Sequence, residues 1–401
     1  MKKFLVLSLV FISLSSSIFA KKFFDERYVE FRLDLPAGFS NNVISVNDVL
    51  KKDVVIDLKK IADGLPSSGA DLALTSNPNF QLNLRFGKLF FGLEAGCDIY
   101  GKGNLSKDIF DFIAYGNEVG EDLDIDVDVV FDAFAYSEVS LGIKTRKILF
   151  TVTPGIFLPL ATVGSGNTSL VFQNSEDGDI SIDFTSLLDV YSAVDFTELN
   201  NKNLNFDYTD LLQNAGFDIS GSLGFQIFKP LLVYADFRVP IMAGSLPMHA
   251  TLTNEFSMSM NLLDFDSFSD PDSTLMQWDY DNNSKYKINR PLKFMGYLDF
   301  TPLGNFLDLK VGGGFGIRHP MSESSYMYPQ YYAGLTLNFF NIFKVGVSSD
   351  YTDQIFKEQI GTVFNLRLFE IDAGLSMQST SFIKSFTGCG AGFYITVAFG
   401  F

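Results

Sequence analysis

Aspartates alternate along residues 122–128, and this run, Asp-Leu-Asp-Ile-Asp-Val-Asp, is the densest chemistry-bearing pattern in the chain. In a strand the four carboxylates would share one face at a spacing of about 6.8 Å, with Asp132 continuing the row. A calcium site needs oxygen ligands that converge from several directions, which one flat row does not supply. We therefore interpret the run as a water-facing surface and keep cation binding as the less favoured alternative.

The two histidines, His249 and His319, both lie in or beside predicted loops. Neither has the spacing of a metal-ligand pair, and no serine, histidine and aspartate form a persuasive catalytic set. The sequence therefore predicts no enzyme and no cofactor or metal site. Cys97 and Cys389 are expected to stay unpaired, because two predicted strands separate them and a disulfide needs Cα atoms about 4.4–6.8 Å apart.

A third set consists of charges of both signs that alternate with apolar residues along predicted strands. Its members are Arg32, Asp34, Asp132, Asp236, Arg238, Asp308, Lys310 and Arg367. Because successive strand side chains point to opposite faces, these charges share the face opposite the apolar one. Inside a barrel they would either pair across the lumen or line a polar path, and pairing is the favoured interpretation.

The elements that must position these residues are strands, and the last strand is the most regular. One of its faces is continuously apolar and the other is small or polar; the apolar face is formed by Phe393, Ile395, Val397, Phe399 and Phe401. This pattern resembles the terminal strand of bacterial outer-membrane barrels. The resemblance implies that the apolar face meets lipid and that the barrel-assembly machinery reads the final phenylalanine.

The other end of the chain predicts export. Lys2 and Lys3 precede a short apolar run, and Ile18-Phe19-Ala20 offers a cleavage site, which is typical of a secretory signal peptide. We expect residues 1–20 to be the signal peptide and residues 21–401 to be one barrel domain in the outer membrane. The net charge of −17 argues against a nucleic-acid partner.

Period-2 segments recur along the chain, and tight turns alternate with long connections. The fold class that this predicts is all-β: a transmembrane, antiparallel, up-and-down β-barrel of about 14 strands, within a range of 12–16. The long connections are predicted at 36–79, 102–121, 161–215, 242–291, 318–328, 350–358 and 379–388. Short helices are expected in them at 45–64, 106–115 and 207–212.

One predicted strand, Ile148 to Leu160, is irregular. Pro154 and Pro159 cannot donate ladder hydrogen bonds, and Gly155 lies beside the first of them, so the strand should bulge or pair incompletely. We consider this break in the wall as a lateral exit for an apolar ligand; a harmless bulge outside the bilayer is the favoured alternative.

Four stretches resemble the long-chain fatty acid transporters of the FadL type and related outer-membrane barrels. They are 84–92, 106–117, 140–147 and 215–221, in that order along the chain. The resemblance implies binding or passive transport of hydrophobic, fatty-acid-like small molecules, with outer-membrane lipid as the surroundings. Only about seven residues are expected between Lys21 and the first strand, which leaves no room for the N-terminal hatch of those transporters.

A second hypothesis about function remains beside transport. The long acidic connections would also suit a surface-exposed structural or adhesin-type barrel that binds a partner.

Overall fold

The computed structural model describes residues 27–43, 45, 57–116, 123–175, 177–194, 212–261, 272–281, 285–304 and 306–401. The predicted signal peptide lies outside these residues. Within them no helix is long and apolar enough to cross a membrane.

A single antiparallel wall of fourteen strand positions closes on itself. The strands of the wall are β1 (Val29–Asn41), β2 (Ala70–Ser76) with β3 (Asn79–Phe86), β4 (Leu89–Leu105), β5 (Leu123–Lys144), β6 (Ile148–Asn174), β8 (Gly216–Phe228), β9 (Leu231–Met242), β14 (Leu292–Phe300), β15 (Leu307–Arg318), β16 (Tyr326–Phe339), β17 (Phe343–Thr352), β18 (Ile355–Asn365), β19 (Phe369–Ser379) and β20 (Ala391–Gly400). The remaining strands are β7 (Asp179–Ser192), β10 (Gly244–Leu246), β11 (Met248–Asn261), β12 (Asp272–Asp281) and β13 (Tyr286–Ile288).

Closure occurs between the first and last strands. β1 and β20 pair from Glu30 with Gly400 to Phe39 with Ala391. On its other edge β1 pairs with β3 and then β2, which occupy one position in the wall and are separated at Asn77 and Pro78. All fourteen predicted strands are therefore present, and the predicted fold class is confirmed.

The largest difference from the sequence-based prediction is a sheet that rises above the barrel. β5 and β6 contain 22 and 27 residues, whereas about 9–11 suffice for a strand to cross a membrane. The upper part of β6 pairs with β7, β7 pairs with β11, and β11 pairs with β12. Connections 161–215 and 242–291 were expected to be long loops with further strand-like pieces such as 252–262, and β11 contains all but the last residue of that piece. The paired sheet itself was not expected; we call the upper part of β6 with β7, β11 and β12 the outer sheet.

The wall is apolar outside and polar inside. On β1, Phe31, Leu33 and Leu35 are exposed, while Arg32 and Asp34 lie on the opposite, inner face. Large aromatic side chains are also exposed at the rim with the short turns, here called the inner rim: Phe86, Phe228, Phe339, Phe340 and Phe343. Such rings form the girdle of a membrane barrel. Phe90, also beside a short turn, instead points inward, where the Lys144 Nζ lies 3.3 Å from its ring centroid.

The described parts of the long connections contain three short helices, α1 (Leu58–Gly64), α2 (Lys107–Tyr115) and α3 (Phe382–Ser385), and Leu212 and Gln213 are also helical. The Asp57 side chain caps α1 by accepting a hydrogen bond from the Lys60 N–H at 3.1 Å. α2 confirms the helix expected at 106–115. Most of the other predicted helical residues, 46–56 and 207–211, lie outside the described chain.

Candidate functional site: an arginine plug in the lumen

Arg290 is held inside the lumen by the chain segment that leads into β14. β13 pairs with β10 in a two-stranded ribbon, and Asn289, Arg290 and Pro291 follow directly. Pro291 lies at the end of this segment, where no ladder donor is required. The ribbon therefore brings a cation from a connection into the barrel interior.

The Arg290 guanidinium contacts three carboxylates from three strands. It lies 2.8 Å from Asp98 on β4, 2.8 Å from Glu138 on β5 and 3.0 Å from Asp218 on β8. Its side chain is 0% exposed, and its centre lies 4.1 Å from the centroid of the Tyr136 ring. A charge buried this deeply needs such partners, because desolvation would otherwise exclude it.

Arg318, at the outer end of β15, forms the second bridge. It lies 2.7 Å from Asp132 on β5 and 2.9 Å from Asp353 in the turn between β17 and β18. Its guanidinium stacks 3.6 Å from the centroid of Tyr100 on β4. His319 follows with a φ of 46° and places Nε2 2.8 Å from Asp132.

Asp353 also accepts a hydrogen bond from the Tyr328 hydroxyl at 2.6 Å, and Lys293 Nζ lies 3.0 Å from it. Burial raises the pKa of Asp353, but the charges of Lys293 and Arg318 outweigh burial, so its pKa lies well below the ordinary range. The carboxylate is therefore ionised at neutral pH.

The two arginines join strands that lie far apart around the wall. Starting from β15, Arg318 reaches β5 across four intervening wall positions, and Arg290 crosses to β4 and β5 in the same way. We call Arg290, Arg318 and their five carboxylate partners the arginine plug. It bridges the outer half of the lumen with ion pairs, and a smaller cavity of about 170 Å³ lies beside it, lined in part by Asp98, Arg318 and Asp353.

Below the plug, the inner half of the lumen retains a cavity of about 690 Å³, here called the chamber. Its lining is mostly polar; besides Glu138 and Arg238 it includes Gln81, Asn83, Glu94, Ser140, Lys144, Thr151, Thr153, Ser220, Ser222, Asp236, Lys293, Tyr297, Gln330, Tyr332, Asp350 and Thr352. A 14-stranded barrel is wide enough for side chains to leave such space.

The irregular strand β6 forms a seam in the wall beside the plug. Pairing with β8 ends at Phe157, and pairing with β7 begins at Ala161. The register with β5 shifts beside Pro159. Thr153 and Pro154 make no pairs with β5 but remain paired with Ser220 and Ile219 of β8. The predicted irregularity is therefore present at both prolines.

Gly155 lies on the inner face of β6 and makes room for the plug. A Cβ there would lie 2.5 Å from Asp218 Oδ1 and 3.0 Å from Glu138 Cγ. The glycine therefore lets these two carboxylates approach Arg290.

Comparison with known proteins gives only distant likenesses. No family model and no curated protein matches the chain. The toluene transporter TbuX of Ralstonia pickettii is 9% identical with a TM-score of 0.42, over 95% of this chain and 92% of that one. The toluene transporter TodX of Pseudomonas putida is 9% identical with a TM-score of 0.47, over 94% and 91% of the two chains.

Both transporters are of the FadL type, which the sequence resembles. Because these identities and TM-scores are low, the type of protein is defined by the chain's own closed wall and apolar outer surface. Strands that span lipid must pair their backbone N–H and C=O groups with one another, which requires a closed barrel. The pairing of β1 with β20 closes this one. The chain is an outer-membrane β-barrel.

The barrel places most of the predicted lumen residues on its inner face. Asp132 belongs to the plug, and Arg238 lies 3.5 Å from Asp98. Arg32 and Asp34 pair at 3.1 Å, and Asp34 also accepts a hydrogen bond from Thr396.

The inner half of the barrel holds the others. Asp236 lines the chamber, and Asp308 shares the inner face of β15 with Lys310. Lys310 Nζ lies 4.2, 5.0 and 5.4 Å from the ring centroids of Tyr297, Tyr332 and Tyr234.

The position of Arg367 differs from the prediction. It was expected on a strand that continues to Phe369, but β18 ends at Asn365. Arg367 lies exposed in the following turn with a φ of 71°, because a tight turn at the inner rim needs a left-handed residue there. It does not line the lumen.

Sequence reasoning missed both plug arginines and four of their carboxylate partners. Arg290 and Arg318 lie at the edges of predicted loops, where strand periodicity carries no information about direction. A usable signal is that each lies within two residues of a proline at a strand end, at Pro291 and Pro320.

Proposed function

We propose that the barrel transports small molecules across the outer membrane and that the arginine plug holds it closed at rest. The observation that carries this proposal is the chamber of about 690 Å³ directly beneath the plug. A barrel with a purely structural role has no need of an open interior. The plug consists of ion pairs between side chains, so it can be displaced without breaking the backbone pairing of the wall.

We further propose that the transported molecules are hydrophobic and, more narrowly, that they carry fatty-acid-like chains. An apolar cluster of Phe134, Phe157, Leu246 and Ile288, with Tyr136, lies beside the seam of β6. There the pairing of β6 is interrupted at Pro154 on its β5 edge, and between Phe157 and Ala161 on its other edge, where β7 replaces β8. These side chains are buried against one another, so an apolar molecule that enters at the seam would displace them and take over their apolar contacts.

Uptake into vesicles with a lipopolysaccharide outer leaflet tests this proposal. We expect the barrel to accelerate entry of oleate and toluene over barrel-free vesicles, and sucrose to enter no faster. Pro154→Val restores a ladder donor at the seam and should slow hydrophobic entry, whereas Pro329→Val, on the exposed face of β16, should not. Entry of sucrose alone would contradict hydrophobic transport. The ratio of the entry rates of oleate and toluene tests whether fatty-acid-like chains are preferred.

A second function, partner binding, is favoured by the outer sheet. Trp278 and Tyr280 on β12 are exposed and stack with ring centroids 6.4 Å apart. Exposed aromatic residues are enriched in protein interfaces. Cell binding that Trp278→Ser and Tyr280→Ser abolish would support this function, and unchanged binding would oppose it.

A further inference from the structure

Helix α3 carries an exposed apolar surface outside the wall. Phe382, Ile383 and Phe386 are 49%, 77% and 54% exposed. The Phe382 and Phe386 rings contact each other at a centroid distance of 5.3 Å, and Phe382 contacts Phe356 on β18 at 5.5 Å. In water such a cluster on a helix of one turn would be unfavourable.

The helix is fastened to the outside of the barrel at two points. Ser385 Oγ donates to Glu358 Oε1 at 3.2 Å. Lys384 Nζ donates to the carbonyl oxygens of Asn42 and Gly64 at 2.7 and 2.8 Å. The polar side chains of α3 therefore face the protein, and its apolar side chains face away.

The position of Glu358 fixes the height of α3 on the wall. Glu358 shares the outward face of β18 with Ile360, which is 57% exposed, and Phe364. Ser349 on β17 and Ser385 both donate to its carboxylate. An outward carboxylate satisfied in this way marks the level where the apolar band of the wall ends.

An aromatic row continues from α3 around the wall at the same level. Phe356 stacks on Tyr351 at 4.2 Å, and Tyr351 stacks on Tyr331 of β16 at 6.2 Å. Aromatic rings at the ends of the apolar band are typical of the membrane–water interface. The apolar surface of α3 is thus continuous with the surface that meets lipid.

We propose that α3 is an interfacial anchor that inserts Phe382, Ile383 and Phe386 into the outer leaflet of the membrane. Lipid is the occupant because the patch extends the lipid-facing wall without a break. Short amphipathic segments bind in this way, with the apolar side buried at the boundary of headgroups and acyl chains. The anchor ties the connection between β19 and β20 to the membrane surface, independently of any transport.

Tryptophan quenching tests the anchor, since Trp278 is the only tryptophan of the chain. The double variant Trp278→Phe/Ile383→Trp would be reconstituted in vesicles of phosphatidylcholine brominated near the headgroup end of the acyl chain. Trp278→Phe/Leu375→Trp provides the lipid-facing control, because Leu375 is exposed on β19. The unmodified chain provides the water-facing control through Trp278 in the outer sheet.

We expect position 383 to be quenched as strongly as position 375 and to emit at a shorter wavelength than Trp278. Quenching no stronger than that of Trp278 would overturn the proposal and leave the patch to a protein partner or a second copy of the chain. Heat-dependent gel mobility of each variant verifies that the barrel is folded, so that either outcome can be interpreted.

Discussion

The outer and inner halves of the lumen use inward-facing charges differently, although the same strands build both. β15 shows this within one strand, because Arg318 at its outer end bridges two carboxylates while Lys310 lower down faces three tyrosine rings. In the outer half, Arg290 from a connection and Arg318 from the end of β15 form ion pairs with carboxylates across the lumen. In the inner half the wall alone contributes charges, and the chamber remains.

This difference indicates that closure depends on ion pairs that cross the lumen and not on inward polarity alone. Inward polarity is a consequence of strand alternation and applies over the whole height of the barrel. Substitutions in the plug should therefore open the lumen. Equivalent substitutions in the chamber should leave the lumen as closed as in the unmodified barrel.

The largest effect is expected from Arg290→Gln. It leaves Asp98, Glu138 and Asp218 without their central cation, and removal of one partner from a buried ion pair costs about 3–5 kcal/mol. Liposome swelling by a small sugar should increase strongly. Arg32→Gln, which breaks a single pair in the inner half, is the matched control and should leave swelling unchanged. Equal swelling of both variants would remove the distinction between the halves.

A smaller effect is expected from Gly155→Ala. The added Cβ would displace Asp218 and Glu138, and crowding of this kind costs about 1–3 kcal/mol. Swelling should rise less than for Arg290→Gln. Gly313→Ala serves as the control, because no atom lies within 4 Å of its Cβ position. If both alanine variants behave alike, Gly155 does not make room for the plug.

Acid should weaken the Arg318 bridge through Asp353. Because its pKa in the folded chain lies below the ordinary value of about 3.9, the stabilisation is complete above that value and is lost as the pH falls below it. Bilayer conductance should stay constant from neutral pH to about 5 and rise only below about 4. The Asp353→Asn variant should lack this acid step; its persistence would assign the step to another group.

The smallest effect is expected in the chamber at Tyr297→Leu. This removes one of three rings around Lys310, and a cation–π contact contributes about 0.5–2 kcal/mol. Urea unfolding should show a modest loss of stability with unchanged swelling, and Tyr297→Phe should retain the stability. An increase in swelling would mean that the inner half also contributes to closure.

The sequence predicts the wall well and the plug poorly. Alternation and turn spacing locate all fourteen wall positions, because lipid on one face and water on the other impose a period of two. β2 was missed, since it lies in the predicted connection 36–79. The plug instead joins residues far apart along the chain, such as Arg290 and Asp98, which are 192 positions apart. No local periodicity encodes such a contact.

The sequence shows a strand-like piece at 252–262, but the pairing that forms the outer sheet was missed for a related reason. β6 exchanges β8 for β7 as its partner between Phe157 and Ala161, and strand pairing beyond the membrane is not constrained by lipid. The proline pair in β6 revealed the irregularity but not the change of partner. Arg367 was placed wrongly because the alternation continues across a turn that actually begins after Asn365.

Single-channel conductance in planar bilayers tests the central claim most directly, with the unmodified barrel beside Arg290→Gln/Arg318→Gln. If the plug closes the lumen, the unmodified barrel should be closed or nearly so, and the double variant should show a stable open level. Equal conductance of the two barrels, or a double variant that folds and stays closed, would contradict the account.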